Sequence, residues 1–328
     1  MLNIKVQSHT RMRSTHTIYL SLAVLMLTQC SITTAPEPMS QPDNERTSAI
    51  NIPLNDPTTF TFEENTSGLY PWGNTLILND YRTNYIAKCK SIKAIDSNGV
   101  IKKSGKVVIL GLGGSNPSHI YQEMKAIHLA QYPFGKSLVV VDGAIGGKDL
   151  PDILNPDASY WNQVKKQLDS LHVTESQVQV IFCIQDDFSL DDTTLLRAVA
   201  LKESYLLLLD LVRVKYPNCK MFLVGDRGYN DYATLPKYWE PKGYLNGWGV
   251  KLLVQDYANN LLPEYPFVNW LDYYWANGTI PRWDGLTYSL SDFLPPIYSH
   301  LTDEKITELA TATHNKLKID VGAKYWYK

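Results

Sequence analysis

Apolar and polar positions change period repeatedly along this chain, and the changes outline its elements. Val107-Val108-Ile109-Leu110 is an uninterrupted, β-branched-rich run, the pattern of a strand buried on both faces. Gly111, Gly113 and Gly114 break the run, and Ile120, Met124 and Ile127 then recur at helical spacing. The pattern predicts strand, sharp turn, helix. It repeats downstream, with apolar runs predicting strands at 137–141, 178–184, 221–224 and 267–271. Between them lies a predicted helix at 159–171, with Trp161, Val164 and Leu168 on one face. A longer one runs from Asp191 and Asp192, whose charges suit a helix start, to about Tyr216 along a stripe of Leu201, Tyr205, Leu208 and Val212. A further helix is expected near 244–259, and the last starts at Thr302, an N-cap, and follows Ile306, Leu309, Thr313 and Leu317. Strands alternating with helices predict an α/β fold with a parallel sheet covered on both faces. Ligands of such sheets bind beyond the carboxyl ends of the strands, where the glycine-rich turns at 111–114 and 143–147 fall.

Upstream the pattern weakens. Residues 51–106 alternate short apolar pieces with Asn, Asp and Gly, predicting an edge segment of irregular structure and short strands packed on a domain at 107–328. Within it Gly68-Leu69-Tyr70-Pro71 is a turn with two apolar anchors. Residues 31–50 are rich in Ser, Thr and Pro without periodicity and read as a flexible tether. Before them, Lys5, Arg11 and Arg13 precede an apolar run at 18–27 that is too short to span a bilayer. Residues 1–30 therefore read as an export signal. Leu27-Thr28-Gln29-Cys30 resembles a bacterial lipobox, with Gln in place of the usual small residue before the cysteine. That resemblance implies lipidation at Cys30 and a protein held at the membrane of the cell envelope. An ordinary cleaved signal or a signal anchor is the alternative.

Composition narrows the partners. The 328 residues are 44% hydrophobic and 20% charged, an ordinary globular balance with ample length for a core. Removal of residues 1–29 leaves 28 Lys+Arg against 33 Asp+Glu, a formal charge of −5. That argues against a nucleic-acid partner, which requires a basic face. Cys89, Cys183 and Cys219 remain, an odd number that cannot all pair, and they read as free buried thiols. No CxxC or HExxH spacing occurs, so neither a metal nor another cofactor is expected.

The first glycine turn carries the candidate chemistry. Ser115 and Asn116 are both good N-caps, and Pro117 suits the first helical position. A serine there sits at the positive end of a helix dipole, beside N–H groups without intrahelical partners. Glycines let a substrate come close to the backbone. An acyl-transfer nucleophile needs both features. A serine that does no more than cap its helix is the other reading.

In order along residues 68–317 come GLYPWGN, GKVVILGLGGSN, VDGAIGGKD, YWNQV, SQVQVIF, DRGYNDYA, PRWDGLTYSLSDF and a late histidine. This ordered set resembles the SGNH (GDSL-type) hydrolase superfamily, in particular its bacterial branch with GxSN in place of GDS. The resemblance implies a three-layer α/β/α sandwich with a mainly parallel five-stranded sheet, flavodoxin-like in arrangement. It implies Ser115 as nucleophile, His300 as base, and oxyanion donors from the Ser115 N–H and from Gly147 or its neighbour Gly146. Asn116 and Gln185 are further candidates at the oxyanion or substrate. The substrate class it implies is a small or glycan ester, such as an acetylated carbohydrate.

Two positions depart from the superfamily. Its aspartate three residues before the histidine is Ile297 here, which leaves a backbone carbonyl or Asp292 to orient His300. Its oxyanion asparagine falls near Gln185-Asp186-Asp187, where a glutamine amide can donate but an ionised carboxylate would repel the developing charge. His119 and His128 read as surface or packing residues. The aromatics Phe267, Trp270, Tyr273, Tyr274, Trp275, Trp283 and Tyr288 form either a sugar-stacking platform or loop packing. Arg227 and Arg282 bind a substrate anion or make structural ion pairs. The sequence thus supports an exported serine esterase, with an inactive envelope lipoprotein of the same fold, glycan-binding or structural, as the rival.

Overall fold

The computed structural model describes residues 51–77, 79–133 and 137–327. The expected signal, the lipobox with Cys30 and the tether lie outside the described residues. Among the described residues no helix is long and apolar enough to cross a membrane.

Two short strands, β1 (Thr61–Phe62) and β2 (Asn65–Thr66), form an antiparallel hairpin and are followed by α1 (Asn79–Ser91). The remaining elements are β3 (Val107–Gly113), α2 (Ser115–Gln131), β4 (Leu138–Asp142), α3 (Leu150–Leu154), α4 (Ser159–Ser170), β5 (Val178–Ile184), α5 (Leu195–Lys215), β6 (Met221–Gly225), α6 (Lys242–Ala258), β7 (Phe267–Trp270) and α7 (Asp303–Ile319). Strands β3 to β7 make one five-stranded sheet in the order β4-β3-β5-β6-β7. Every pairing in it is parallel.

The uninterrupted apolar runs have their reason in this arrangement. Along β3, Val108, Leu110 and Leu112 enter one core with Trp161, Leu201 and Trp248. Val107 and Ile109 enter a second core with Ile120, Met124 and Leu309. Helices α3 to α6 therefore cover one face and α1, α2 and α7 the other, giving three layers. Each fully buried aliphatic side chain on these strands contributes roughly 1.5–3 kcal/mol.

The chain enters the sheet at β3, crosses one face to β4, then returns over the other face to β5. The order reverses between β3 and β5, and the crevice at their carboxyl ends is where such sheets bind ligands.

Residues 51–106 hold a 13-residue helix, α1, where only irregular structure and short strands were expected. Its sequence, NDYRTNYIAKCKS, buries only Tyr85 and Cys89, so no apolar stripe marks it. The segment covers the open edge of β7: the Tyr70 hydroxyl donates to Asn269 at 2.9 Å, and Trp270 Nε1 donates to the Leu69 carbonyl at 2.7 Å. Tyr81 reaches the Val268 carbonyl. An edge strand covered in this way is less open to pairing with another chain.

Candidate functional site

The site begins where β3 can no longer continue. A Cβ on Gly113 would lie 2.6 Å from both the Ile184 carbonyl oxygen and Pro117 Cβ, so only glycine fits the passage from strand to helix. The N-cap is Gly114, not Ser115 or Asn116, and Pro117 stands at the third helical position rather than the first. Ser115 is thus the first residue of α2, at the positive end of its dipole.

The loop after β4 runs alongside. Gly143 and Ile145 donate backbone N–H groups to Gly111 and Gly113, each at 2.9 Å. The Asp142 carboxylate accepts from Ser118 Oγ at 2.6 Å, Gln122 Nε2 at 2.8 Å and the Ala144 N–H at 3.0 Å, tying this loop to α2. The second glycine turn is thereby laid against the serine, and a Cβ on Gly146 would stand 3.7 Å from Ser115 Cβ. Gly147 adopts a φ of +74°, and the space beside it is open. Among the described residues neither Gly146 nor Gly147 spends its N–H on a partner.

His300 arrives from the other end of the chain, in the loop before α7. Its Nε2 lies 2.8 Å from Ser115 Oγ, across 185 residues of sequence. Both line a pocket of about 350 Å³ at the carboxyl edge of the sheet, together with Gly147, Gln185, Asp226 and Tyr274. His300 is half-buried, and burial, with the nearby His119 as a lesser cause, holds its pKa below the ordinary histidine value. The neutral ring, the form a general base needs, therefore persists to lower pH.

Asp292 does not stand behind the histidine. Its carboxylate accepts from the Ser289 N–H at 2.7 Å and Ser289 Oγ at 3.0 Å, closing a capping box on a short 3-10 turn, with Lys305 Nζ 3.9 Å away. Ile297 is 44% exposed, so the superfamily's acid position faces outward. The side-chain atom facing His300 Nδ1 is Ser299 Oγ, at 3.4 Å. Asn116 is also differently employed than expected: its amide bonds Ser299 and Leu301 on either side of the histidine.

The third block resolves the conflict of charges. Asp186 is 1% exposed, and its two carboxylate oxygens face Arg197 Nη2 at 2.9 Å and Arg227 Nε at 2.8 Å. The second contact lies off the N–H axis, an ion pair rather than an aligned hydrogen bond. Asp187 accepts from Ser189. The charge of Asp186 is thus balanced by arginine, and Asp187 does not line the pocket. Gln185 gives one amide proton to the Lys148 carbonyl at 3.1 Å and accepts the Asp186 N–H, so it braces two loops instead of standing free as an oxyanion donor.

Arg227 is absorbed by Asp186, the Tyr238 carbonyl and the Phe188 ring. Arg282 is absorbed by Asp284 and the carbonyls of Tyr273 and Trp275. Both make structural contacts.

Asp226, the first residue of the DRGYNDYA block, was given no role in the sequence analysis. It is fully buried at the pocket wall, accepts the N–H groups of Tyr274 and Gly228, and burial pushes its pKa up to about 7. Its place directly after β6, at a strand's carboxyl end and at the head of that block, was a signal that could have singled it out.

The aromatic segment points inward: Phe267, Trp270, Tyr273, Tyr274, Trp275 and Tyr288 are buried, and Trp283 alone of the seven is exposed, at 63%. His119 is exposed and His128 buried. The three cysteines are free, with Cys219 less buried than Cys89 and Cys183. Among the described residues no group of three or more His, Cys, Asp or Glu side chains is disposed to hold a metal ion.

No protein-family model matches the chain, and no curated protein matches it. Among solved structures, it is similar to a protein described as an acylhydrolase from Bacteroides fragilis, at 10% identity and a TM-score of 0.32 over 73% of this chain and 99% of that one. It is also similar to the periplasmic domain of a lipopolysaccharide acetyltransferase from Salmonella ser. Paratyphi A, at 14% identity and a TM-score of 0.35 over 73% of this chain and 97% of that one. Likeness at this level decides nothing about chemistry.

Proposed function

We propose that this chain is a serine hydrolase of the SGNH type that cleaves acyl esters with a Ser115–His300 dyad. The observation that carries the reading is the 2.8 Å contact between His300 Nε2 and Ser115 Oγ, at a helix N-terminus inside a pocket. Hydrogen-bond reach between nucleophile and base is the geometric requirement for this chemistry.

Ser115 Oγ attacks the ester carbonyl carbon as its proton passes to His300 Nε2. The oxyanion is received by the Ser115 N–H and by the N–H of Gly147 or Gly146. As the intermediate collapses, the carbon–oxygen bond to the alcohol breaks and His300 returns the proton to the leaving oxygen. Water then attacks the acyl-serine, with His300 again taking its proton, and the acid departs. The pocket volume of about 350 Å³ and its mixed polar lining suit a short acyl group on a polar alcohol, such as an acetylated sugar.

The test is covalent labelling. A fluorophosphonate should modify the purified protein at Ser115 and leave Ser115→Ala untouched. No labelling, together with no hydrolysis of acetylated sugars or simple esters above the Ser115→Ala background, overturns the reading. The glycan-binding rival has no aromatic platform to support it, since six of the seven aromatics are turned inward.

The reading extends to location: the chain is exported and held at the envelope through lipidated Cys30. A palmitate analogue should label the wild-type protein in a bacterial host but not Cys30→Ser. Equal labelling of the two removes the anchor.

A further inference from the structure

A general base must present one ring nitrogen as a lone pair, in one place. In a triad a carboxylate secures both conditions, and here none does. The backbone of His300 is nevertheless held from two sides. Its carbonyl accepts the Leu294 N–H at 2.8 Å, beside an antiparallel bridge between Phe293 and Leu301. On the opposite side Asn116 Nδ2 donates to the Ser299 carbonyl at 3.0 Å, and Asn116 Oδ1 accepts the Leu301 N–H at 3.1 Å. A side-chain amide carries a donor and an acceptor like a peptide group, so Asn116 pairs with the segment as a neighbouring strand would.

The neighbour preceding this segment, Tyr298, takes a left-handed φ of +53°, a conformation costly for a bulky residue unless its surroundings fix it. The ring then has Ser115 Oγ at Nε2 and Ser299 Oγ at Nδ1. If Nδ1 carries the proton, Nδ1–H donates to Ser299 Oγ and Nε2 keeps the lone pair that faces the nucleophile. The 3.4 Å separation is at the long end of hydrogen-bond reach.

We propose that Asn116 is the positioning residue for the base, clamping the backbone on both sides of His300, and that the Ser299 hydroxyl accepts the Nδ1–H hydrogen bond where a triad would place an acid. Asn116 follows Ser115 directly in the first turn of α2, so nucleophile and clamp move as one body. The arrangement fixes the ring without a negative charge. It does not stabilise the imidazolium as a carboxylate would, which agrees with a base whose pKa lies low. The other titratable side chains sharing the pocket are Asp149, Asp152, Asp186, Asp226, Lys148, Arg227, Lys237, Tyr238 and Tyr274, and His119 lies nearby on α2.

The proposal rests on the hydrolase reading for its kinetic readout only, so two measurements are made on the full chain. The first is nitrogen-15 NMR of the histidine rings, which reports tautomer without any turnover. Wild type should show His300 as a single Nδ1–H tautomer, and Asn116→Ala and Ser299→Ala should each show a mixture. Ser299→Thr, which keeps the hydroxyl, should restore the single tautomer. The second is ester hydrolysis. Asn116→Ala should lower kcat by on the order of 10–100-fold with KM nearly unchanged, the effect of misplacing a catalytic group by about 1 Å. A single Nδ1–H tautomer in Asn116→Ala and in Ser299→Ala overturns the proposal, as does an unchanged kcat in Asn116→Ala. If Asn116→Ala does not fold, the Ser299→Ala and Ser299→Thr pair decides. A wild type that neither labels nor hydrolyses removes the hydrolase reading alone, and the tautomers still decide the positioning.

Discussion

His300 and His128 lie on the same side of the sheet and are perturbed by the same force, yet they are used differently. Burial is the first cause of a lowered pKa in both, reinforced by His119 for His300 and by His314 for His128. His128 is 2% exposed, its pKa is pushed down to about 4, and among the described residues neither ring nitrogen finds a hydrogen-bond partner. It is packed between the Tyr132 and Tyr327 rings. His300 is only half-buried, and a serine oxygen faces each of its ring nitrogens. Desolvation alone makes a neutral histidine. A reactive one also needs a nucleophile, a fixed tautomer and an opening to substrate.

Removing the reacting pair tests the contrast most severely. Ser115→Ala and His300→Ala should each lower hydrolysis of a p-nitrophenyl acetate-type ester by on the order of 10³–10⁶, and the double variant should be little worse, because residues acting as a unit fail together. His128→Phe should leave turnover near wild type. In the wild type the acid limb of kcat/KM should fall below about pH 6.5, the ordinary histidine value, because the folded protein keeps His300 neutral. A limb above that value would mean an undetected anionic partner.

The next effect is on stability and belongs to His128. In the folded chain it stays neutral down to about pH 4, whereas in the unfolded chain it takes a proton near pH 6.5. Between those values the unfolded state binds more protons. His128's contribution to stability is therefore full above about pH 6.5 and is lost as pH falls toward 4, by on the order of 3 kcal/mol across the window. Denaturant melts over this range should show wild type losing stability relative to His128→Phe as pH falls. In the dependence that remains, His314 and His300, also shifted down by burial, act in the same direction, and Asp226, pushed up to about 7 by burial, acts in the opposite one.

The smallest effects concern the missing acid. Asp292→Asn should leave turnover within about twofold, because the carboxylate serves Ser289 and Lys305. Its cost is that of a weakened cap, about 1 kcal/mol in thermal or chemical melts. Ile297→Asp should not raise activity, because that position faces solvent. A gain in kcat for Ile297→Asp would show that the loop swings inward in the working enzyme and would break the contrast drawn here.

The strands show which parts of the fold were legible. Val178–Ile184 was readable to the residue because a strand buried on both faces must be apolar throughout. The other strands and long helices fell within a few residues of their predicted ends, where fraying and caps decide. Helix α1 was invisible because its polar sequence is held by tertiary contacts such as Tyr85 to Asp320. In the site, Ser115 could be named from its turn, because strand, glycines and helix are all local. Asp292 was misassigned as an orienting acid because proximity in sequence does not say which way a side chain points. It closes its own capping box three residues away.

By itself, then, the sequence determined what depends on period and local backbone: a parallel α/β sheet, a serine at a strand-to-helix turn, and glycine-rich turns at the carboxyl edge. Only the tertiary structure decided what depends on partners far along the chain. It brought His300 to Ser115 and turned Asn116 from a helix cap into a clamp on the base. It set Asp186 between two arginines and folded the aromatic segment inward. Such choices depend on which buried polar groups find one another, because an unpaired one costs free energy in proportion to its desolvation. No pattern of hydrophobic spacing records that pairing.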